Sequence, residues 1–481
     1  MGEERTLEER LVIVKEEGDE ELDLKKRVWE ETKKIWIVAF PGMLSRASNF
    51  GMVIIAQVFI GHVSALDLAA FALVQSLTLR FINGILIGMS SATETLCGQA
   101  FGAGQHHMMG IYLQRSWIVN LITVTLLTPL FIFSAPIFIG LGQDKDVSIA
   151  SETMSLWLIP LMYLLVFSFT IQMYLQAQLK NKIVAWLSIA SVIVQIFFSW
   201  IFVFKLDFGT YGALGSFILS NIAVVLSEFI YIFCGGCPLS WKGFSLDAFS
   251  QLWPVIKLSV SSGIMLCLEV WYNSILILIA GYMKNATVAI AAFSICLNVS
   301  VFEFMICLGF LGAACVRVAN ELGRGDAKSI KFSIKVNLAT SLIFGIVFFT
   351  LCLVFGNKIG YLFTSDEDVI NMVSELSILL AVTMFSNSIQ PVLTGIVVGA
   401  GLQSVVAIIN LVCYYVIGIP IGLLLGFCTD LQVRGVWIGM ICGTITQIIC
   451  LSIMIWRTNW DDQVEKASQR ISRWSKPDES S

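Results

Sequence analysis

Glu269 stands in Leu266-Cys267-Leu268-Glu269-Val270-Trp271-Tyr272-Asn273, with a long apolar run after it. An ionisable side chain inside a bilayer costs about 3 kcal/mol on insertion scales, so one that persists there is a candidate for function. A carboxyl out of water can shed its charge by taking a proton. One that takes and releases a proton in mid-membrane is what a proton-coupled carrier requires; the competing role is a structural partner for a nearby arginine. Glu303 follows in the next apolar stretch, with Asn298 five residues before it. That spacing sets the two on different helix faces, so one of them is expected to face an interior cavity. Tyr272, Asn273, Asn387, Gln390, Asn410 and Tyr414 gather in the same half of the chain. Apolar walls carrying a few amides and phenols suit a bulky, partly aromatic organic solute.

The remaining intramembrane charges read less sharply. Arg46 and Arg80 lie deep in the first half and are expected to pair with a carbonyl or an acid. Glu94 and Arg317 stand near span ends, where long side chains reach water, and serve loop geometry as readily as solute. Asp67 and Asp207 sit at span ends and read as helix caps or interfacial residues. Pro41, Pro160, Pro391 and Pro420 each remove a backbone donor. Pro41 and Pro391, which sit among polar residues, are the candidate hinges, a packing kink being the alternative.

Several chemistries are excluded. The twelve cysteines fall mostly inside apolar runs, and Cys234 and Cys237 are the nearest approach to a metal-ligand pair. With three histidines in all, neither a metal nor any other cofactor is expected. No nucleophile–base set points to an enzyme. The stretch Gly98-Gln99-Ala100-Phe101-Gly102-Ala103-Gly104 superficially resembles a phosphate loop but lacks the following Lys-Ser/Thr, and reads as a tight turn. A net charge of −4 gives nucleic acid no purchase.

The elements that must position these residues are membrane helices. At 57% hydrophobic, 13% charged and a mean hydropathy of +0.82, the chain lacks the polar cover a soluble core needs. On a scale of about 20 apolar residues per crossing, twelve spans are counted. They centre near Val53, Ile85, Leu126, Leu164, Ile193, Val224, Ile275, Leu308, Phe348, Val382, Ile417 and Thr446. The charged first 35 residues have no apolar core of a secretory signal. The division expected is a tail at 1–34, six spans at 35–236, a connector at 237–257, six spans at 258–457 and a tail at 458–481. Lys and Arg favour the loops on the side of both termini, Arg115, Lys180, Lys182, Lys242, Lys257, Arg324, Lys328, Lys331 and Lys335 against Lys145, Lys205, Lys284 and Arg434. Both termini are therefore expected in the cytosol.

The two sets of spans are copies. Gly98–Gly104 recurs as Ala319-Asn320-Glu321-Leu322-Gly323-Arg324-Gly325, where 323 − 102 = 221. Asp207 and Gly212 recur as Asp430 and Gly435, where 435 − 212 = 223, and Ala69-Ala70-Phe71 recurs as Ala291-Ala292-Phe293, where 293 − 71 = 222. An even number of spans per copy keeps the copies parallel, related by an axis along the membrane normal. Two like halves can rock against one another around a central site.

Thr93–Gly104, Met109–Trp117, Met265–Tyr272, Glu303-Phe304-Met305, Arg317–Gly323, Gln390–Gly395 and Tyr414–Pro420 resemble the multidrug and toxic compound extrusion (MATE) family, specifically its plant branch. The likeness runs from about Ile35 to Trp456. It implies an all-α integral membrane fold, twelve helices in two six-helix pseudo-symmetric lobes around a central cleft. It also implies cation-coupled, usually proton-coupled, antiport of secondary metabolites or xenobiotics such as flavonoids or alkaloids, at the tonoplast or plasma membrane. The implied partners are a small organic solute, protons and the bilayer, with a monomer expected. The family's acidic site in the second lobe falls on Glu269, while its usual second acid, on the tenth span, falls on Asn387. The aspartate that bacterial relatives use in the first span is absent, Ser45 to Asn49 offering Arg46, amide and hydroxyl groups. Coupling is thus expected in the second lobe. An anion channel or facilitator, with Arg46 and Arg80 steadying the ion, is the alternative, and a flippase for lipid-linked oligosaccharide a weaker rival.

Overall fold

The structure, a computed structural model, describes residues 2–281, 286–364 and 366–475. Twelve of its helices are long and apolar enough to cross a bilayer. In the first half they are α1 (Gly2–Val63), α2 (Ala65–Gly102), α3 (His106–Ile132), α4 (Lys145–Ala177), α5 (Asn181–Lys205) and α6 (Gly209–Gly236). In the second half they are α7 (Leu252–Gly281), α8 (Ala286–Arg324), α9 (Ala327–Gly356), α10 (Glu367–Gly399), α11 (Gln403–Phe427) and α12 (Val433–Arg457). Each expected span centre falls within one of them. Lys284, counted among the opposite-side cations, lies outside the described residues.

Where side chains can replace missing helical partners, they mark the starts. Ser64 accepts from the Asp67 amide at α2, Asp144 from the Asp146 amide at α4 and Asp326 from the Lys328 amide at α9. Pro41, Pro160 and Pro391 sit within continuous helices. Before Pro420 the helix widens to π geometry over Leu411–Gly418, a common accommodation of a lost backbone bond. The expected tails are ordered differently from their name. α1 begins far upstream of the first apolar run, and a further helix, α13 (Trp460–Ser475), follows α12.

The packing repeats as the sequence does. α1 lies on α5, α2 on α3 and α4, and α5 on α6; the same contacts recur for α7 on α11, α8 on α9 and α10, and α11 on α12. Phe71 and Phe293, the ends of one repeated triplet, are both buried. A Cβ on Gly212 would come to 3.0 Å of the Phe202 carbonyl carbon, and one on Gly435 to 2.5 Å of that of Leu425. Both offsets are 223 (435 − 212 and 425 − 202), so the repeated glycine closes the same hairpin in each half.

The halves meet through α1 on α8, α7 on α2, and α2 on α8. The glycine-rich repeats, expected as turns, form the last turn of α2 and of α8, and they pack on each other. A Cβ on Gly102 would fall 1.9 Å from the Asn320 carbonyl oxygen, and one on Gly323 2.0 Å from that of Gln99. Only glycine allows this approach. Beyond it the chain turns through Gly104 and Gly325, whose φ of +73° and +82° suits glycine.

This junction closes the side carrying both termini. Thr95 donates to the Val398 carbonyl (2.9 Å), Gln99 to that of Gly399 (3.2 Å), and Gln403 to Thr95 (3.1 Å). From the tails, Arg317 pairs with Glu31 at 2.7 Å and Arg470 of α13 donates to Gln99 at 3.2 Å. α1 and α8 approach at Gly42 and Gly309, while Ile54 and Val58 of α1 and Asn298 and Phe302 of α8 are exposed.

Candidate functional site

Glu269 sits in the middle of α7, part-buried, and Gln390 of α10 donates to its Oε1 at 3.3 Å. Behind it, the rings of Tyr272 and Tyr414 stack at 4.4 Å with 9° between planes. The Tyr414 hydroxyl donates to Gln447 at 2.5 Å, Gln447 to Asn410 at 2.6 Å, and Asn410 to the Met265 carbonyl at 3.3 Å. The Tyr272 hydroxyl is shared between the Gly439 and Met440 carbonyls. The run of polar groups therefore joins α7, α11 and α12. In lipid its value is specificity: each donor has an acceptor, so the helices take one register.

Glu303 belongs to a second cluster, between α8 and α10. It is fully buried and takes bonds from Cys307 (2.8 Å), Asn387 (3.2 Å) and Ser388 (3.4 Å). Asn387 also donates to Ser300 at 3.1 Å. The two amides of α10 thus divide between two acids, Gln390 serving Glu269 and Asn387 serving Glu303. Asn298, on another face as its spacing requires, is exposed. Of the expected solute-lining residues, Tyr272, Glu303, Gln390, Asn410 and Tyr414 are buried in the second lobe. Asn298 and Asn387 reach accessible surface, and the Asn273 side chain lies outside the described residues.

The first lobe answers with different chemistry. Glu94, expected at a span end within reach of water, is 1% exposed and takes a 2.6 Å bond from Gln176. Arg80 is exposed, and among the described residues neither it nor Arg46 has an ion pair or hydrogen bond, against expectation. Glu94 is the acid nearest Arg46 in effect, without contact. Asp67 bridges helices as well as capping, accepting from Thr210 of α6 at 2.5 Å.

The copies can be aligned in space. A Cβ on Gly88 of α2 would meet the Ser262 carbonyl at 2.6 Å, and one on Gly309 of α8 would meet that of Ala39 at 2.7 Å. Since 309 − 88 = 221 and 262 − 39 = 223, α1 and α7 match at an offset of 223. Then 269 − 46 = 223: Arg46 occupies on α1 the place of Glu269 on α7. Likewise Glu94 matches Cys315 (315 − 94 = 221), its neighbour across the junction.

The family model named MatE matches residues 41–201 and 262–424, one segment in each lobe. This chain belongs to the MATE family. Protein DETOXIFICATION 24 of Arabidopsis thaliana is 49% identical over 481 residues, 99% of this chain and 96% of that protein. Protein DETOXIFICATION 21 of the same plant is 50% identical over 462 residues, 96% and 94% of the two chains. The crystal structure of the eukaryotic MATE transporter AtDTX14 superposes with a TM-score of 0.87 at 28% identity, covering 92% of this chain and 99% of that one. A MATE in the bent conformation shares the fold at a TM-score of 0.77 and 17% identity. The protein is thus a multi-pass membrane protein and a secondary transporter of the MATE type, not an enzyme.

Within this MATE chain, sequence reasoning passed over Glu228. It is buried in α6 and receives Gln172 (3.1 Å) and Ser168 (3.4 Å) on one oxygen, its other oxygen unpartnered among the described residues. The signal was available, an acid in the apolar run Val224–Ile232. Gln176 and Gln447 left no such signal. A glutamine in a span becomes informative only when its partner is seen.

Proposed function

We propose that this transporter is a proton-coupled antiporter that moves organic solutes by alternating access, with Glu269 as the proton carrier. The observation that supports it most is the setting of Glu269, an acid in mid-helix held by a neutral amide of the neighbouring helix and bordering the cleft. A carboxyl so placed changes charge with the compartment it faces. Facing the acidic compartment, it takes a proton and no longer needs the Gln390 donor. The freed amide and the stacked Tyr272–Tyr414 wall then readjust, the lobe equilibrium shifts and solute leaves. Facing the cytosol, the proton departs and solute rebinds. A difference of ~2 pH units supplies about 2.7 kcal/mol per proton, enough for roughly a hundredfold gradient of neutral solute at one-for-one exchange.

In this reading the moving bodies are 35–236 and 258–457, Pro41 and Pro391 absorb the bending, and both termini are cytosolic. The membrane is the tonoplast or plasma membrane, and the working unit is a monomer. Contact with solute in the outward-open state falls to Asn298 and Asn387, while Tyr272, Asn273, Glu303, Gln390, Asn410 and Tyr414 form the wall behind them. The solutes are secondary metabolites such as flavonoids or alkaloids and xenobiotics, in keeping with relatives named DETOXIFICATION.

The test is Glu269→Gln in proteoliposomes with an imposed pH gradient. Loss of gradient-driven uptake is expected; undiminished uptake removes Glu269 from the mechanism. A passive anion path, favoured by the open Arg46, predicts currents that follow voltage with no pH requirement.

A further inference from the structure

The stripe Ala39, Gly42, Met43, Arg46 runs at helical spacing along one face of α1. Its first three members lie against Gly309 of α8, where a Cβ would meet the Ala39 carbonyl oxygen at 2.7 Å and the Met43 Cγ at 2.4 Å. Arg46 is the next residue on that face and is part-buried. The repeat offset matches it to Glu269 of the other lobe (269 − 46 = 223), which assigns both to the central cleft between the lobes. In a bilayer-enclosed site an unfilled guanidinium is costly, and its planar fork of five N–H donors matches a carboxylate two bonds at a time.

Two polar groups near it already have partners of their own. Ser45 accepts from Ser188 of α5 at 3.0 Å, which holds it toward the lobe interior. Glu94 is held by Gln176 at 2.6 Å, and among the described residues no ion pair joins it to Arg46. Its charge tempers that of Arg46 without filling the donors. The lobes thus present opposite charges at matched positions of one cavity, and only the acidic one has a protein hydrogen-bond partner facing it.

We propose that Arg46 binds the carboxylate of an organic anion in the cleft, and so selects aryl carboxylates over their neutral isosteres. This rests on the reading above that solute enters the cleft, and it goes beyond it in naming the solute's charged group. Lysine at this place would keep the charge but lose the two-bond match.

The experiment is equilibrium binding of naphthoate and of naphthamide to the full chain in nanodiscs at one pH, with no gradient. The wild type is expected to prefer naphthoate about tenfold or more, ~1.4 kcal/mol. Arg46→Gln should bring that ratio close to one with naphthamide binding unchanged, Arg46→Lys should keep part of it, and Glu94→Gln should raise it. No naphthoate preference in the wild type, or a preference that survives Arg46→Gln, overturns the proposal. So does competition by excess chloride as effective as by naphthoate, which would mean a site for small ions only. If Arg46→Gln binds neither probe, Arg46→Lys decides, a ratio equal to the wild type's counting against the two-bond match and a reduced one supporting it. Because no proton gradient is used, the two readings fail separately: undiminished pH-driven uptake by Glu269→Gln beside an intact naphthoate preference overturns Glu269 as proton carrier and supports Arg46. A lost discrimination beside intact pH-driven uptake overturns Arg46 alone.

Discussion

The two lobes share a helix arrangement and differ in what they place at its matched positions. At one matched position α7 carries Glu269, with Gln390 donating to it, and α1 carries Arg46, which has no hydrogen bond among the described residues. On the second helix of each lobe the pair is Glu94 and Cys315, neighbours across the junction. Where the copies touch each other they remain alike, as at Gly102 and Gly323, because one backbone can approach the other only if both lack a side chain. Where they face the cavity nothing forces likeness. Duplication thus supplied the scaffold, and divergence at its matched positions placed a carboxyl in one lobe and a guanidinium in the other.

The comparison breaks first if the lobes prove interchangeable in coupling. Glu269→Gln should abolish pH-driven accumulation, a loss of about a hundredfold at ~2 pH units. Arg46→Gln should keep gradient-driven uptake of a neutral solute, as measured by flux into proteoliposomes. Equal losses in both variants would contradict the division of labour.

Next comes the likeness at the junction. Gly102→Ala and Gly323→Ala each drive a methyl into a carbonyl of the other repeat, at an expected cost of about 1–3 kcal/mol. Thermal unfolding of the two variants should shift alike, with transport slowed in both; a shift in one only would show the junction to be asymmetric. Within the second lobe, Gln390→Ala should displace the pH profile of uptake. Asn387→Ala, which removes donors from Glu303 and Ser300, should leave the profile in place and lower thermal stability by about 1 kcal/mol. Coincident pH profiles would put Glu303 and Glu269 in one titrating unit.

The smallest effect sharpens the comparison at a loop. Asp326 caps α9, while its counterpart Gln105 (326 − 105 = 221) makes no side-chain cap at α3. The Ser329 backbone amide and hydroxyl beside Asp326 hold its carboxyl below the usual range. Its contribution is therefore present above the unfolded-state value and lost as pH falls through the folded one. Asp326→Ala should cost about 1 kcal/mol at neutral pH and less in acid, and Gln105→Ala almost nothing, read by thermal unfolding at two pH values.

Most of the architecture was legible because lipid leaves the chain few choices. An apolar run near 20 residues must be a helix, since every backbone donor has to be satisfied within the segment. The offsets near 222 announced the two copies, and an acid in an apolar run, Glu269, announced itself by its cost. Other site residues were misjudged for a physical reason. Distance along the chain does not tell which way a side chain points, so Glu94 was taken for a residue reaching toward water when it is buried and bonded to Gln176. Asn387 was read beside Glu269 and lies on Glu303.

Residue types and spacing alone determined the twelve crossings, the repeat and the candidate acid, because these follow from hydrophobic length and internal likeness. Only the tertiary structure decided that the glycine repeats clasp one another, that α10 divides its amides between two acids, and that Arg46 takes on α1 the place Glu269 has on α7. Those outcomes depend on how helices far apart in sequence are rotated and set in register, which no local pattern records.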